Sequence, residues 1–286
     1  MALLLGLLFC LCSPALMAAD GGKKSSADLT ATQIAEKNVA ARGGLEKWRA
    51  LQTIAFNGKL DAGTGSSTAR AAKIAREAKT GVKVRRAGNP QDEDKSDATK
   101  QVQLPFTLEM KRPHMSRVEV EFAGKTSLQV YDGKNGWLVR PYLNRNSVEP
   151  FTAEQAKAQE HEQNIDAPLI DYAAKGTKVE LAGVEQVEGR DAYNLKLTTK
   201  DGRVQHVWID KQSFLDVKIE GTPRRMDGRL RTVWIYQRDF RDVNGLKIPF
   251  VLETAVDGFP GTHKMVLDKV AVNPKLDDAL FAKPKA

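Results

Sequence analysis

The chain holds four histidines, His114, His161, His206 and His263, and no two stand at the i, i+4 spacing that presents paired imidazoles to one metal. His161-Glu162 opens like a zinc-protease motif, but Ile165 occupies the place of the second histidine. A serine nucleophile of the Gly-x-Ser-x-Gly kind is absent. Gly63-Thr64-Gly65-Ser66 has the glycines of a phosphate-cradling loop without its lysine, and reads as a turn. Asp166, Asp171 and Asp191 are the carboxylates one would try as acid–base partners. Their spacing singles out no pair, and they read as solvated side chains. Cys10 and Cys12 both fall in the N-terminal apolar run, so the chain beyond it has no thiol for a disulfide, a zinc-thiolate site, an iron–sulfur cluster or a nucleophile. No catalytic residue, metal or cofactor is therefore expected, and the protein is read as not an enzyme.

The residue that stands out is an arginine. In LEMKRPHMSRVEVEF, Leu108, Met110, Val118, Val120 and Phe122 have even numbers, and equal parity in a strand means a shared face. Arg112 has the same parity and stands beside Pro113. Either Pro113 breaks the register and turns Arg112 to solvent, or Arg112 stays in the row and faces inward. An inward guanidinium is costly unless a charge-assisted hydrogen bond pairs it. Leu128 and Val130 lead into an Asp132–Gly136 turn and Trp137 leads out, which extends the expected apolar wall.

These residues need elements to hold them. Thr30 and Gln33 have capping-box spacing, Ile34, Ala35, Asn38 and Val39 follow at helical intervals, and Gly43-Gly44 stop the run. Leu45, Trp48 and Leu51 predict a second short helix. Thr152 and Gln155 repeat the capping-box spacing, and Pro168 to Gly176 predict a further helix. From Thr177 the sequence alternates with period two between short turns at Glu188-Gly189, Asp201-Gly202, Asp227-Gly228, Asn244-Gly245 and Asp257-Gly258, the pattern of a meander. About ten or eleven antiparallel strands are expected in all, and a sheet that wide curls. The fold class is mainly β with helices: an unclosed, strongly curved half-barrel with helices over its concave side. Such an arrangement leaves either a packed core or a cavity for apolar ligands.

The N-terminus, MALLLGLLFCLCSPALMAAD, reads as a secretory signal peptide over 1–19, broken by Ser13-Pro14-Ala15 and offering small residues at Ala18-Ala19. It has no basic residue before its apolar run, and a true start upstream is the expectation that follows. Phe9 and Leu11 stand where lipidation of Cys10 or Cys12 would need a small residue. A leader over 20–29 follows, then a single domain over 30–286 with a charged insertion at about 61–100. The net charge is +8, and Arg70 to Arg86 is strongly basic. An exported basic protein suits anionic surfaces such as lipid headgroups, and nucleic acid is not an expected partner.

Five segments in order resemble the Lol carrier (LolA/LolB-like) superfamily, most closely its outer-membrane lipoprotein-sorting branch. They are ARGGLEKWRALQTIAFNGKL, VYDGKNGWLVRP, IDAPLIDYAAKGTKVELAGVEQVEGRDAYNLKL, RDFRDVNGLKIPFVLE and VAVNPKLDDALFAKP. They are spread along most of the length of residues 30–286. The resemblance implies an unclosed antiparallel barrel with a helical lid, located in the periplasm of a Gram-negative bacterium. It implies a monomeric carrier or chaperone that shields lipid or lipoprotein acyl chains and exchanges them with inner- or outer-membrane acceptor proteins. Lys111-Arg112-Pro113 matches a family triplet whose arginine points inward and holds the lid shut, which implies that role for Arg112. The insertion at 61–100 is longer and more charged than the family pattern. The alternative is an envelope-stress sensing or scaffold module of the same fold that binds a protein partner.

Overall fold

The computed structural model describes residues 29–61, 103–162, 164–259 and 261–285. The expected signal peptide, all of the leader but Leu29, and almost all of the charged insertion lie outside the described residues. Helix α1 (Ala31–Ala41) starts on the expected box: Thr30 Oγ1 accepts from Gln33 N at 3.2 Å, and Gln33 Oε1 accepts from Thr30 N at 2.9 Å. It is followed by α2 (Leu45–Ala50). Strands β1 (Thr53–Asp61), β2 (Gln103–Lys111), β3 (Met115–Phe122), β4 (Lys125–Tyr131), β5 (Gly136–Arg140) and β6 (Arg145–Pro150) come next. Helix α3 (Ala153–Glu162) then precedes β7 (Lys178–Val187), β8 (Arg190–Thr198), β9 (Val204–Asp210) and β10 (Asp216–Met226). Strands β11 (Arg229–Val243), β12 (Leu246–Val256) and β13 (Thr262–Val272) complete the meander.

All thirteen strands form one antiparallel sheet, ordered β6-β5-β4-β3-β2-β1-β13-β12-β11-β10-β9-β8-β7. This is the expected unclosed half-barrel, with more strands than the ten or eleven read from the sequence. Strand β6 (RNSVEP) is a polar, mostly exposed edge, so it carries no apolar alternation to announce it. Bulges bend the sheet, one of them between Asn57 and Gly58 of β1. A Cβ on Gly58 would lie 2.1 Å from Val266 O, so only glycine permits the strands to approach there.

The order has a topological consequence. Strands β6 and β7 are consecutive in sequence yet form opposite edges of the sheet. The chain between them, residues 151–177, must therefore cross from one edge to the other. It does so over the concave face: Gln159 of α3 accepts from Gln129 at 2.8 Å and donates to Ser116 at 3.0 Å. Ser116 pairs with Met110 and Gln129 with Val118, which puts these contacts on the face of the even-numbered apolar row. The predicted helix over Pro168–Gly176 is a run of turns instead. Asp171 has a φ of 55°, outside the helical region, and this breaks the spiral.

Two apolar clusters lie beneath the helices. Ile34 and Ala35 of α1 are packed with Leu195, Leu197, Val207 and Ile209 of β8 and β9. Trp48 of α2 packs with Ile54, Phe106, Met110, Ile248 and Phe250. Gly43, with a φ of 111°, joins α1 to α2, and a Cβ there would lie 2.2 Å from Gly245 O. The tight approach seats the helix junction on the β11–β12 hairpin.

Candidate functional site

Between α2, the crossing segment and the concave face lies an apolar cavity of about 270 Å³. Its wall is set by strand register. Ile54 pairs with Met110 and Phe56 with Leu108. Leu252 pairs with Met265 and with Gln237. All of these line the cavity, together with Ile248 and Leu267, while Trp48, Ile165 and Ala167 roof it. Leu108 and Met110 are thus cavity residues. Val118 and Val120 continue the same face through their pairing with Leu108 and Phe106, and Val120 packs against the core there. Phe122 lies further along that row and meets Tyr142 edge to face at 5.9 Å.

Leu128, Val130 and Trp137 lie on the other face, which corrects the expected wall. Leu128 pairs with Glu119, Val130 with Arg117, and Trp137 with Val130. The cause is turn length. Arg112-Pro113-His114 is a three-residue connection and keeps parity between β2 and β3, closing at Lys111 and Met115. Ala123-Gly124 is a two-residue turn between Phe122 and Lys125, so parity inverts across it. On that outer face the C-terminal segment covers the sheet. Arg117 Nη1 donates to Leu280 O at 3.2 Å, Lys111 Nζ to Leu276 O at 3.1 Å, and Phe281 is buried.

Arg112 stands just past the end of β2 and turns toward the helix ends rather than to solvent. Its backbone N donates to Gln52 O at 2.9 Å. Its Nε donates to Leu51 O at 2.7 Å and its Nη2 to Trp48 O at 3.2 Å, satisfying carbonyls at the C-terminal end of α2. The same guanidinium grips Asp166 of the crossing segment from two nitrogens, with Nη1 at 3.1 Å from Oδ2 and Nη2 bonded to Oδ1. Lys175 Nζ adds a bond to Asp166 Oδ2 at 2.7 Å and to Ile170 O at 2.9 Å. Asp166, read from the sequence as solvated, has a side chain only 5% exposed. Burial alone would raise its carboxyl pKa, but the bonds and charges of Arg112 and Lys175 outweigh this and hold it below the usual carboxylate range. A second pair, Arg49 with Asp171 at 2.6 and 2.9 Å, ties α2 to the same segment, but at an exposed position where such pairs contribute little. Arg112 is therefore a clasp joining three pieces: the β2 end, the α2 end and the crossing segment.

The cavity also has a polar corner that the sequence did not announce. Arg42, at the end of α1, is 4% exposed, with its guanidinium 5.3 Å from the Trp48 ring and 5.2 Å from the Phe240 ring. Its Nη1 lies 3.2 Å from Asp216 Oδ2, and Asp216 is fully buried and bonded by Asn38 Nδ2 at 3.2 Å. Burial lowers the Arg42 pKa and raises that of Asp216, each opposed by the charge of the other. Arg42 and Gln237 both line the cavity. Among the described residues no group of histidine, cysteine and acidic side chains is arranged to hold a metal ion.

No family model matches the chain, and no curated protein matches it. Among solved structures it is similar to a LolA superfamily protein from Nitrosomonas europaea, at 14% identity and a TM-score of 0.52, covering 89% of this chain and 98% of that one. It is likewise similar to a DUF1329 family protein from Desulfovibrio piger ATCC 29098, at 14% identity and a TM-score of 0.51, covering 88% and 97%. At such identities the likeness is one of fold. The fold is a LolA-like half-barrel, the class that the sequence resemblance implied.

Proposed function

We propose that this protein is a periplasmic carrier or binding protein for lipid or lipoprotein acyl chains, acting in outer-membrane lipoprotein sorting, with its cavity gated by the clasped lid. The observation that carries the reading is the apolar cavity roofed by a segment that Arg112 and Lys175 hold through one buried carboxylate. About 270 Å³ is room for roughly nine water-sized groups. Transfer of about nine methylenes from water contributes on the order of 7 kcal/mol, enough for binding without a polar contact. A chain of about fifteen methylenes exceeds that room. Full-length cargo then requires the lid to lift, and the clasp sets the free energy of lifting. Leu108 and Met110 form the cavity wall in this reading, Val118, Val120 and Phe122 its extension, and Arg112 the latch.

The test is ligand exchange in Arg112→Leu. The variant leaves Asp166 with Lys175 alone, and release of a bound fluorescent fatty acid should accelerate about tenfold, a change of about 1.4 kcal/mol, with the circular dichroism spectrum retained. An unchanged release rate would remove the latch. Native mass spectrometry of protein taken from its own envelope should also recover acyl-chain species, and recovery of none would count against the carrier.

A further inference from the structure

The polar corner of the cavity gives the ligand a head. Arg42 Nε and Gln237 Oε1 are buried atoms without a hydrogen-bond partner, Arg42 Nη1 has only its ion pair with Asp216, and both side chains line the cavity. They are 4% and 8% exposed. A donor and an acceptor left open beside an apolar wall are a costly arrangement unless something completes them. Gln237 sits on β11 opposite Leu252, a wall residue, so its amide points from the same face as the apolar lining.

The charge state selects among heads. Arg42 already has a buried anion, Asp216, 3.2 Å away. A second anion brought to that corner would leave an uncompensated negative charge in a dry site. A carboxylate or phosphate head is therefore disfavoured, and a neutral head is favoured. It must offer an acceptor to Arg42 and a donor to Gln237 Oε1. An amide does both, whereas an ester offers the acceptor only.

Resting on the acyl-chain reading above, we propose that the cavity recognises a neutral acyl amide, its carbonyl oxygen accepting from Arg42 and its N–H donating to Gln237. The tail then runs along the Leu108, Met110 and Leu252 wall.

The experiment is displacement of a fluorescent apolar probe by four eight-carbon compounds at pH 7: octanamide, methyl octanoate, octanoate and octane. Octanamide should bind at least tenfold more tightly than methyl octanoate, and octanoate more weakly than either. In Gln237→Met, a near-isosteric apolar change, the amide should lose its advantage over the ester while octane binds as before. A purely structural role for Gln237 would weaken all four compounds alike. Equal affinities for amide and ester in the unmodified protein, or an amide preference that survives Gln237→Met, would overturn the inference. Arg42→Met combined with Asp216→Asn removes the buried charges together and should abolish the advantage of the ester over octane, while Gln237 still favours the amide over the ester. Should that variant fail to fold, Gln237→Met still decides. If octane displaces the probe but no head preference exists, the carrier reading stands and this inference falls. If none of the four displaces the probe, the carrier reading falls, and this inference with it.

Discussion

One curved sheet is roofed in two ways. Over β8 and β9, helix α1 inserts Ile34 and Ala35 among Leu195, Val207 and Ile209, and all five are 0% exposed. Over β1, β2, β12 and β13, the lid leaves about 270 Å³ unfilled. Were that space a sealed void, its cost would be about 6 kcal/mol at ~24 cal/mol per Å³. The first roof is held by fit, with an apolar stripe matched to its bed. The second has, besides the packing of Leu169 and Ile170, a clasp in which Arg112 and Lys175 close on the buried carboxylate of Asp166. Fit cannot be undone without unfolding the region. A charged clasp can be opened by removing one partner or one charge.

The largest expected effect lies in the fitted half. Leu195→Ala should lower stability by about 2–5 kcal/mol in urea unfolding, as for other fully buried leucines. Leu108→Ala, at the edge of space that already exists, should cost about 1 kcal/mol and loosen acyl binding instead. Equal costs at the two sites would erase the distinction between the halves.

Acid should open the clasped half first. Asp166 has a folded pKa held below its unfolded value of about 3.9, so its contribution is present above that value and is lost as pH falls through the folded pKa. Protection factors across residues 164–176, corrected for the intrinsic pH dependence of amide exchange, should therefore fall several-fold below about pH 4, before α1 loses protection. Simultaneous loss in both places would show that the lid has no independent opening.

The smallest effect is a null on the outer face. Trp137→Ala should leave acyl binding within about 0.5 kcal/mol of the unmodified protein, whereas Val118→Ala should weaken binding by about 1 kcal/mol. A strong effect at Trp137 would contradict the assignment of faces by register.

Much of this contrast was legible in the residues, and the part that was not has definite causes. The boxes Thr30–Gln33 and Thr152–Gln155 mark helix starts because both partners lie three residues apart. The inward row Leu108–Met110 follows from period two within one strand. Beyond one turn, the outcome depends on how many residues the turn contains, and the two-residue Ala123-Gly124 connection sent Leu128, Val130 and Trp137 to the outer face. The burial of Asp166 was invisible for a different reason: its partner Arg112 is 54 residues away, and only the crossing of the sheet brings them together. The unpartnered Nε of Arg42 was equally hidden, since a lone arginine at a helix end reads as a surface residue until Trp48 and Phe240 enclose it.

The crossing from β6 to β7 has one more consequence. A flap attached at one end swings on a single hinge and clears its opening completely. Residues 151–177 are anchored at both rims of the trough, so they can only bow upward or follow the rims as these spread. How wide the trough gapes and how high its cover rises are then a single motion, and widening the cavity flexes the whole sheet rather than a loop.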